Sequence, residues 1–290
     1  MPKYYSLRTL RIRHLAHLSA RIRVDADDLK RIAGNLKKLY SYWEMPKPNG
    51  GYRPITSPKP VLKTIQKRIH NLLQEIQISD CAHGGIKGRS HYTNAKIHCN
   101  TEWLYKLDFK SFFPSIPHTR VFYLFKNELK CSTEVASVLT KLCTYNGCVP
   151  QGSPTSTDIA NLVCRSLDKR LEELAKSFGL TYSRFVDDIH FSGQNLPERF
   201  KILVKKTISS AEWITIHPAK EDCAGRFKQQ IVTGLNIKKK QPAVPRVYKR
   251  QVRAEMYKHR SKAILNKENQ YELSSCLYGK CRYINSVENP

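Results

Sequence analysis

Apolar residues recur at helical spacing in several long stretches of this chain, and shorter apolar runs bounded by turn residues lie between them. Near the N-terminus Leu7, Leu10, Leu15, Leu18 and Ile22 are interleaved with Arg8, Arg11, Arg13, Arg21 and Arg23, which predicts an amphipathic helix with a basic face. Val61, Leu62, Ile65, Ile69, Leu72, Leu73 and Ile76 form a second apolar stripe. A third helix is predicted from Ser153 to Phe178, with Ser153 as cap, Pro154 at its first position, one face of Ile159, Leu162, Val163, Leu167, Leu171 and Leu174, and Gly179 as its stop. Further helices are expected over Glu198–Ala211 and around Tyr248–Leu265. The strands predicted are Trp103–Leu107 running into Asp108, Thr181–Phe185 and Ile189–Ser192 flanking a tight turn, and Ile231–Ile237 as one piece. Between Met45 and Pro54, Asn49-Gly50 and the flanking prolines mark a hairpin tip. Helices mixed with antiparallel hairpins point to an α+β core.

Charge narrows the partners. With 50 Lys+Arg against 24 Asp+Glu the net charge is +26, an excess that favours a polyanion such as nucleic acid. From Lys238 onward 13 Lys+Arg face 4 Asp+Glu, a net of +9, so the tail reads as a separate basic helical module. At 290 residues the chain exceeds an average domain and divides into about two units. No apolar run approaches the ~18 residues of a spanning helix, and the first residues open no signal-peptide core, so a cytoplasmic protein is the expectation. The nine cysteines form no C-x-x-C pair, and an odd count without an export signal argues for reduced thiols.

The candidate chemistry lies in acidic residues. Asp187 and Asp188 sit at the turn between two predicted strands, bracketed by Phe185, Val186, Ile189 and Phe191, and Asp108 ends another strand. Adjacent carboxylates in a half-buried turn repel one another unless cations hold them. Three carboxylates can grip two divalent cations about 3.5–4 Å apart, which stabilise both oxygens of a phosphoryl transfer. Asp27-Asp28, by contrast, reads as a solvated helix start. Phe112 and Phe113, just past Asp108, read either as core or as an aromatic surface pressing on the sugar of a nucleotide. The segment Pro150-Gln151-Gly152-Ser153-Pro154 is open to two readings as well, an ordinary loop before a helix or a phosphate-binding helix N-terminus.

Taken in order, Tyr52-Arg53-Pro54-Ile55, Leu107-Asp108-Phe109-Lys110-Ser111-Phe112-Phe113, Pro150-Gln151-Gly152-Ser153-Pro154 and Phe185-Val186-Asp187-Asp188 resemble the successive motifs of reverse transcriptases, over roughly residues 45 to 265. Asn94-Ala95-Lys96-Ile97-His98 and Val232-Thr233-Gly234 are similar to two further motifs of the retron branch. The family's usual Tyr-Ala before the aspartate pair is here Phe185-Val186, which keeps the aromatic surface, loses a hydroxyl and adds bulk near the primer terminus.

The resemblance implies a right-hand polymerase fold with fingers, a palm built on an antiparallel sheet, and a helical thumb. By position, residues 1–102 would be the N-terminal helix and fingers, 103–237 the palm (119–146 partly fingers) and 238–290 the thumb. Asp108, Asp187 and Asp188 would be catalytic and hold two Mg²⁺. Lys47, Arg53, Phe113, Gln151 and Gly152 would bind the nucleotide, Phe113 as sugar gate. Lys220 matches a lysine that protonates pyrophosphate, or is one more surface lysine. Asn94, His98, Val232, Thr233 and Gly234 would recognise RNA; the alternative is structural, with Asn94 capping a helix and Gly234 marking a strand bulge.

The implied activity is RNA-directed DNA synthesis on a structured noncoding RNA, primed from its own 2′-hydroxyl. The expected partners are that RNA, its single-stranded DNA product, dNTPs and an effector protein acting in anti-phage defence, with no membrane. The alternatives are another small bacterial reverse transcriptase, defence-associated or intron-derived, and a non-catalytic RNA-binding scaffold.

Overall fold

The computed structural model describes residues 9–46, 50–265 and 274–289. The chain opens with α1 (Leu15–Ile22) and α2 (Ala26–Gly34), which bury Leu15, Leu18, Ile22, Leu29 and Ile32 in the main core. Asp25 caps α2 by accepting from the Asp27 and Asp28 N–H groups, so the Asp27-Asp28 pair is indeed a helix start. The N-terminal helix is shorter than its sequence pattern: Leu10 is buried but lies ahead of α1, and Arg11 at φ 49° breaks the helical path. Leu7 and Arg8 fall outside the described residues.

A hairpin follows, β1 (Tyr40–Pro46) against β2 (Tyr52–Pro58), paired from Tyr40↔Pro58 to Pro46↔Tyr52. Only its root is buried, so most of its length projects from the body. The helix α3 (Pro60–Leu73) carries the expected apolar stripe, and α4 (His91–Lys96) starts with a Ser90–Thr93 capping box. Beyond the strand β3 (Trp103–Asp108) come α5 (Phe112–Ser115), α6 (His118–Tyr123), α7 (Thr133–Cys143) and α8 (Ser156–Ser177). The strands β4 (Thr181–Phe185) and β5 (Asp188–Gly193), the helix α9 (Glu198–Ser209) and β6 (Asp222–Ala224) complete this part. Then come β7 (Ile231–Val232), β8 (Leu235–Asn236), α10 (Arg246–Leu265) and α11 (Ser275–Glu288).

Two further elements differ from their sequence pattern. Helix α8 starts three residues late, after a turn at Pro154-Thr155 in which the Ser153 hydroxyl accepts from the Thr155 N–H at 3.4 Å and donates to Gln66 Oε1 at 2.8 Å. Gln66, buried on α3, also donates to the Tyr40 hydroxyl and the Leu142 carbonyl, so it fastens the hairpin root, α7 and the loop before α8 together. Segment Ile231–Ile237 is no single strand but a hairpin, because Thr233 (φ 45°) and Gly234 (φ 84°) both take left-handed φ and reverse the chain.

The four-stranded sheet has the order β4-β5-β3-β6, with every pair antiparallel. Alternation along the strands gives it two faces. Tyr105, Leu107, Tyr182, Ile189 and Phe191 enter the main core with α8 and α9. Leu104 turns the other way, into a second cluster with Ala95, Val232, Leu235, Ile237, Val244 and Val287. That second core seats α4, the β7–β8 hairpin and the C-terminal helices on the sheet.

Candidate active site

The register of the sheet makes the site. Asp108, last residue of β3, pairs directly with Asp188, first residue of β5. Asp187 lies in the two-residue loop between β4 and β5, and its carbonyl accepts from the Phe109 N–H at 3.1 Å. Asp108 is itself buried, and its carbonyl accepts from the His217 N–H at 2.7 Å. Three carboxylates from two sheet strands and one turn thus converge.

Their electrostatics disfavour three bare charges side by side. Burial, then the charges of Asp187 and Asp108, push the Asp188 carboxyl up to about 7. Burial and the Asp108 charge raise Asp187 as well, while Lys220 and Arg53 pull it back. Lys220 donates from Nζ to Asp108 Oδ2 at 2.6 Å and is the one ammonium set on a member of the trio among the described residues. Among those residues no three His, Cys, Asp or Glu side chains are already closed into a coordination cage. The donor set nevertheless fits hard divalent cations, which take carboxylate oxygens, and the trio holds more negative charge than one lysine offsets.

Of the candidates for the nucleotide side, one acts directly on this trio. Arg53, on β2, is close enough to draw the Asp187 carboxyl downward. Lys47 lies outside the described residues. Thr56 N–H donates to the Gln151 carbonyl at 2.9 Å, which ties the projecting hairpin to the loop before α8. Gly152, at φ 125°, brings that loop against the hairpin: a Cβ there would lie 3.1 Å from the Thr56 carbonyl oxygen. Phe112 is the buried member of its pair and stacks on Phe109 at 5.5 Å between centroids. Phe113 is half-buried and tilted on Phe112 at 5.5 Å between centroids.

The five residues expected to read RNA are placed differently. Asn94 and His98 are both fully buried, so neither side chain presents itself to a macromolecule at the surface. His98 lies beyond the end of α4 and bridges the two strands that carry the aspartate turn: Nδ1 is 2.6 Å from Ser192 Oγ and Nε2 is 2.7 Å from Ser183 Oγ. Burial, with the charges of His190 and His83, holds its pKa well below the ordinary value. Asn94 does not cap α4, a role filled by Ser90, and neither polar atom of its side chain has a partner among the described residues. Val232 is core, and Thr233 Oγ1 donates to the His91 carbonyl at 2.8 Å. Of the five, Gly234 alone faces open space among the described residues, at a hairpin turn and not a bulge.

A group that sequence reasoning missed stands behind the aspartates. Arg184 is the largest side chain fully buried in the protein's described part, and it pairs with Asp168 of α8, also fully buried. The signal available was an arginine set among Tyr182, Phe185 and Ile189 in a strand otherwise bound for the core.

Known proteins give the site its context. Residues 45–233 match the family described as Reverse transcriptase (RNA-dependent DNA polymerase). The chain is 37% identical over 254 residues to the Retron Mx162 reverse transcriptase of Myxococcus xanthus, covering 75% of this chain and 52% of that protein. It is 30% identical to the Retron Ec86 reverse transcriptase of Escherichia coli, covering 87% of this chain and 82% of that protein. With the Retron Se72 reverse transcriptase of Salmonella heidelberg it shares 32% identity over 89% of this chain and 69% of that one. A solved telomerase of Candida albicans, in complex with a fragment of telomeric RNA, aligns with 86% of this chain and 54% of its own at TM-score 0.49 and 10% identity. No helix among the described residues is long and apolar enough to cross a membrane.

Proposed function

We propose that this chain, which belongs to the reverse transcriptases (RNA-dependent DNA polymerases) and within them to the retron type, copies part of a dedicated structured noncoding RNA into single-stranded DNA. The primer is a 2′-hydroxyl of the same RNA, so the product is a branched RNA–DNA molecule. The system serves in anti-phage defence in the cytoplasm, together with an effector protein. In the right-hand polymerase fold, fingers, palm and thumb would be residues 1–102, 103–237 (119–146 partly fingers) and 238–290.

One observation carries the polymerase reading: Asp108, Asp187 and Asp188 converge where two paired strands end, with more negative charge than their neighbours neutralise. Asp108, Asp187 and Asp188 would hold two Mg²⁺, which supply charge stabilisation to the attacking hydroxyl and to the triphosphate. The chain's own residues do the positioning. Arg53, with Lys47, takes the triphosphate of a dNTP, and Phe113 packs against its sugar. Gln151 and Gly152 keep the fingers hairpin in place over the pocket. The primer hydroxyl gives up its proton to solvent as its oxygen bonds to the α-phosphorus, the α–β bridge breaks, and pyrophosphate leaves. Lys220, already beside Asp108, is placed to stabilise developing charge there.

The +26 charge supplies affinity for RNA, which falls as salt rises through counterion release. The test has two arms. Extension of a primed RNA template with Mg²⁺ and dNTPs is expected; none from a folded protein would make the chain an RNA-holding scaffold. Sequencing of copurifying nucleic acid is expected to find a branched RNA–DNA molecule. Linear DNA alone would overturn 2′-hydroxyl priming and leave another small reverse transcriptase.

A further inference from the structure

The turn that carries Asp187 is built on a disfavoured residue. β4 and β5 close at the Phe185–Asp188 pair, which leaves Val186 and Asp187 as a two-residue loop. Val186 has φ 59°, and Asp187 is not among the residues with positive φ. A hairpin loop with that pattern takes glycine at its first position, and a β-branched side chain is a poor occupant of left-handed φ. Something outside the loop must therefore keep it in shape.

The polar network on the opposite face of the sheet has the reach to do so. Arg184 sits two residues before Val186, and its side chain passes to the α8 side. Its Nε and Nη2 donate to Asp168 Oδ1 and Oδ2 at 2.8 and 2.7 Å, a two-pronged pair with both side chains fully buried. Its Nη1 donates to the Val186 carbonyl at 2.9 Å and to Asn161 Oδ1 at 3.0 Å. Asn161 Nδ2 in turn donates to the Gly84 carbonyl at 2.9 Å.

Gly84 lies directly against the loop: a Cβ on it would come within 2.5 Å of Val186 Cγ2 and 2.7 Å of the Val186 nitrogen. The segment leading to Gly84 is stitched to β4 by Arg184 N–H to Cys81 O and His83 N–H to Arg184 O, each 2.8 Å. Asp168 and Asn161 are seven residues apart on α8, two turns along one face, so one rigid helix supplies both anchors.

We infer that Arg184 and Asn161, braced by Asp168 and by the Gly84 peptide, are positioning residues for nucleotide transfer. They keep Val186 in the left-handed conformation and thereby keep Asp187 beside Asp108 and Asp188. The inference rests on the polymerase reading above. Neither side chain touches a reacting atom, since both lie behind the sheet. An arginine suits the position because its planar fork serves three acceptors at once, which a lysine ammonium cannot reproduce. Val186 and Gly84 also explain each other: the bulkier residue of the turn fits only because its neighbour has no side chain.

The test must separate positioning from mere stability, so it is a double-mutant cycle between Asn161→Ala and Val186→Gly. Glycine accepts φ 59° without strain, so a turn built on it needs the brace less. Single-nucleotide incorporation is measured on a generic primed template at saturating dNTP. Asn161→Ala is expected to lower kcat about 10–100-fold with the native Val186 and by several-fold less when Gly stands there. RNA affinity should be unchanged. Amide exchange across residues 185–188, and at Phe109, whose N–H is held by the Asp187 carbonyl, should quicken in Asn161→Ala.

Equal fractional losses in both backgrounds, or a loss confined to melting temperature, would overturn the inference. If Asn161→Ala shows no cooperative melting, Asn161→Ser replaces it in the same cycle with the same criteria. If the wild-type protein fails to incorporate nucleotide, the polymerase reading falls, whereas the exchange measurement still decides whether the brace exists.

Discussion

Replacing Asp188 by asparagine should make the metal-free protein more stable at pH 8 while ending DNA synthesis. In the folded chain the Asp188 carboxyl keeps its proton up to about pH 7, against an ordinary value of 3.8, through burial and the charges of Asp187 and Asp108. Between those two pH values the folded state binds a proton that the unfolded state has released, so stability falls as pH rises through the window. Above pH 7 the whole cost is present. A rise of that size corresponds to about 4 kcal/mol at 1.36 kcal/mol per pH unit, and partial solvent access reduces it to about 2 kcal/mol. The asparagine amide keeps the shape of the carboxyl and removes the charge. For a chain of this size a gain of about 2 kcal/mol raises the melting temperature by roughly 3–5 °C. Calorimetry in EDTA at pH 8 and pH 5 reads it: the variant should melt higher at pH 8, and the gap should be smaller at pH 5. Adding Mg²⁺ should raise the wild type and move the variant less. A variant that melts no higher than wild type at pH 8, or a gap indifferent to pH, would refute the charge crowding and with it the reason for cations at this site.

Other expectations are simpler to state. Asp187→Asn should abolish nucleotide incorporation without lowering melting temperature or RNA binding; synthesis close to wild type would remove Asp187 from the metal site. Phe113→Ala should admit ribonucleotides, measured as the ratio of kcat/KM for dGTP and GTP, and an unchanged ratio in a folded variant would make the ring a packing residue. His98→Ala should destabilise the fold by about 2–4 kcal/mol, through a cavity and two stranded serine hydroxyls. It should also depress extension of generic and cognate templates alike; a loss confined to the cognate RNA would return His98 to recognition.

What the sequence revealed and what it hid divide along the range of the interactions involved. The aspartate turn was readable because apolar residues on both sides mark two short strands, and antiparallel pairing then brings Asp188 opposite Asp108. The projecting hairpin and α3 were readable for the same local reasons. The start of α8 was not: Ser153 is held in the turn ahead of the helix by a bond to Gln66, 87 residues earlier in the chain, where no local rule can see it. His98 and Asn94 looked like surface groups since both are polar and lie four residues apart. The burial of His98 depends on Ser183 and Ser192, which arrive from strands formed about 90 residues later. Arg184 was hidden by the general rule that arginine stays at the surface; only Asp168, reached across a helix–sheet contact, makes the interior tolerable.

These long-range bonds give the two retron-like segments a common physical meaning. His98 enters the aspartate-bearing face of the sheet and bridges β4 to β5. At the other end of the same short helix, the His91 carbonyl accepts from Thr233 in the β7–β8 turn, and the Asn100 N–H donates to the Ile237 carbonyl at 2.9 Å just past it. Ala95 packs with Val232, Leu235, Val244 and Val287 in the second core. The segment around α4 therefore joins the strands of the catalytic turn to the base of the C-terminal helices, with buried bonds on both sides. A residue in such a joint acts on RNA only through the geometry it imposes on others. That is why Asn94 and His98, chemically suited to reading a base, are spent on the interior, and why Gly234, which has no side chain, is the member of the set left facing open space.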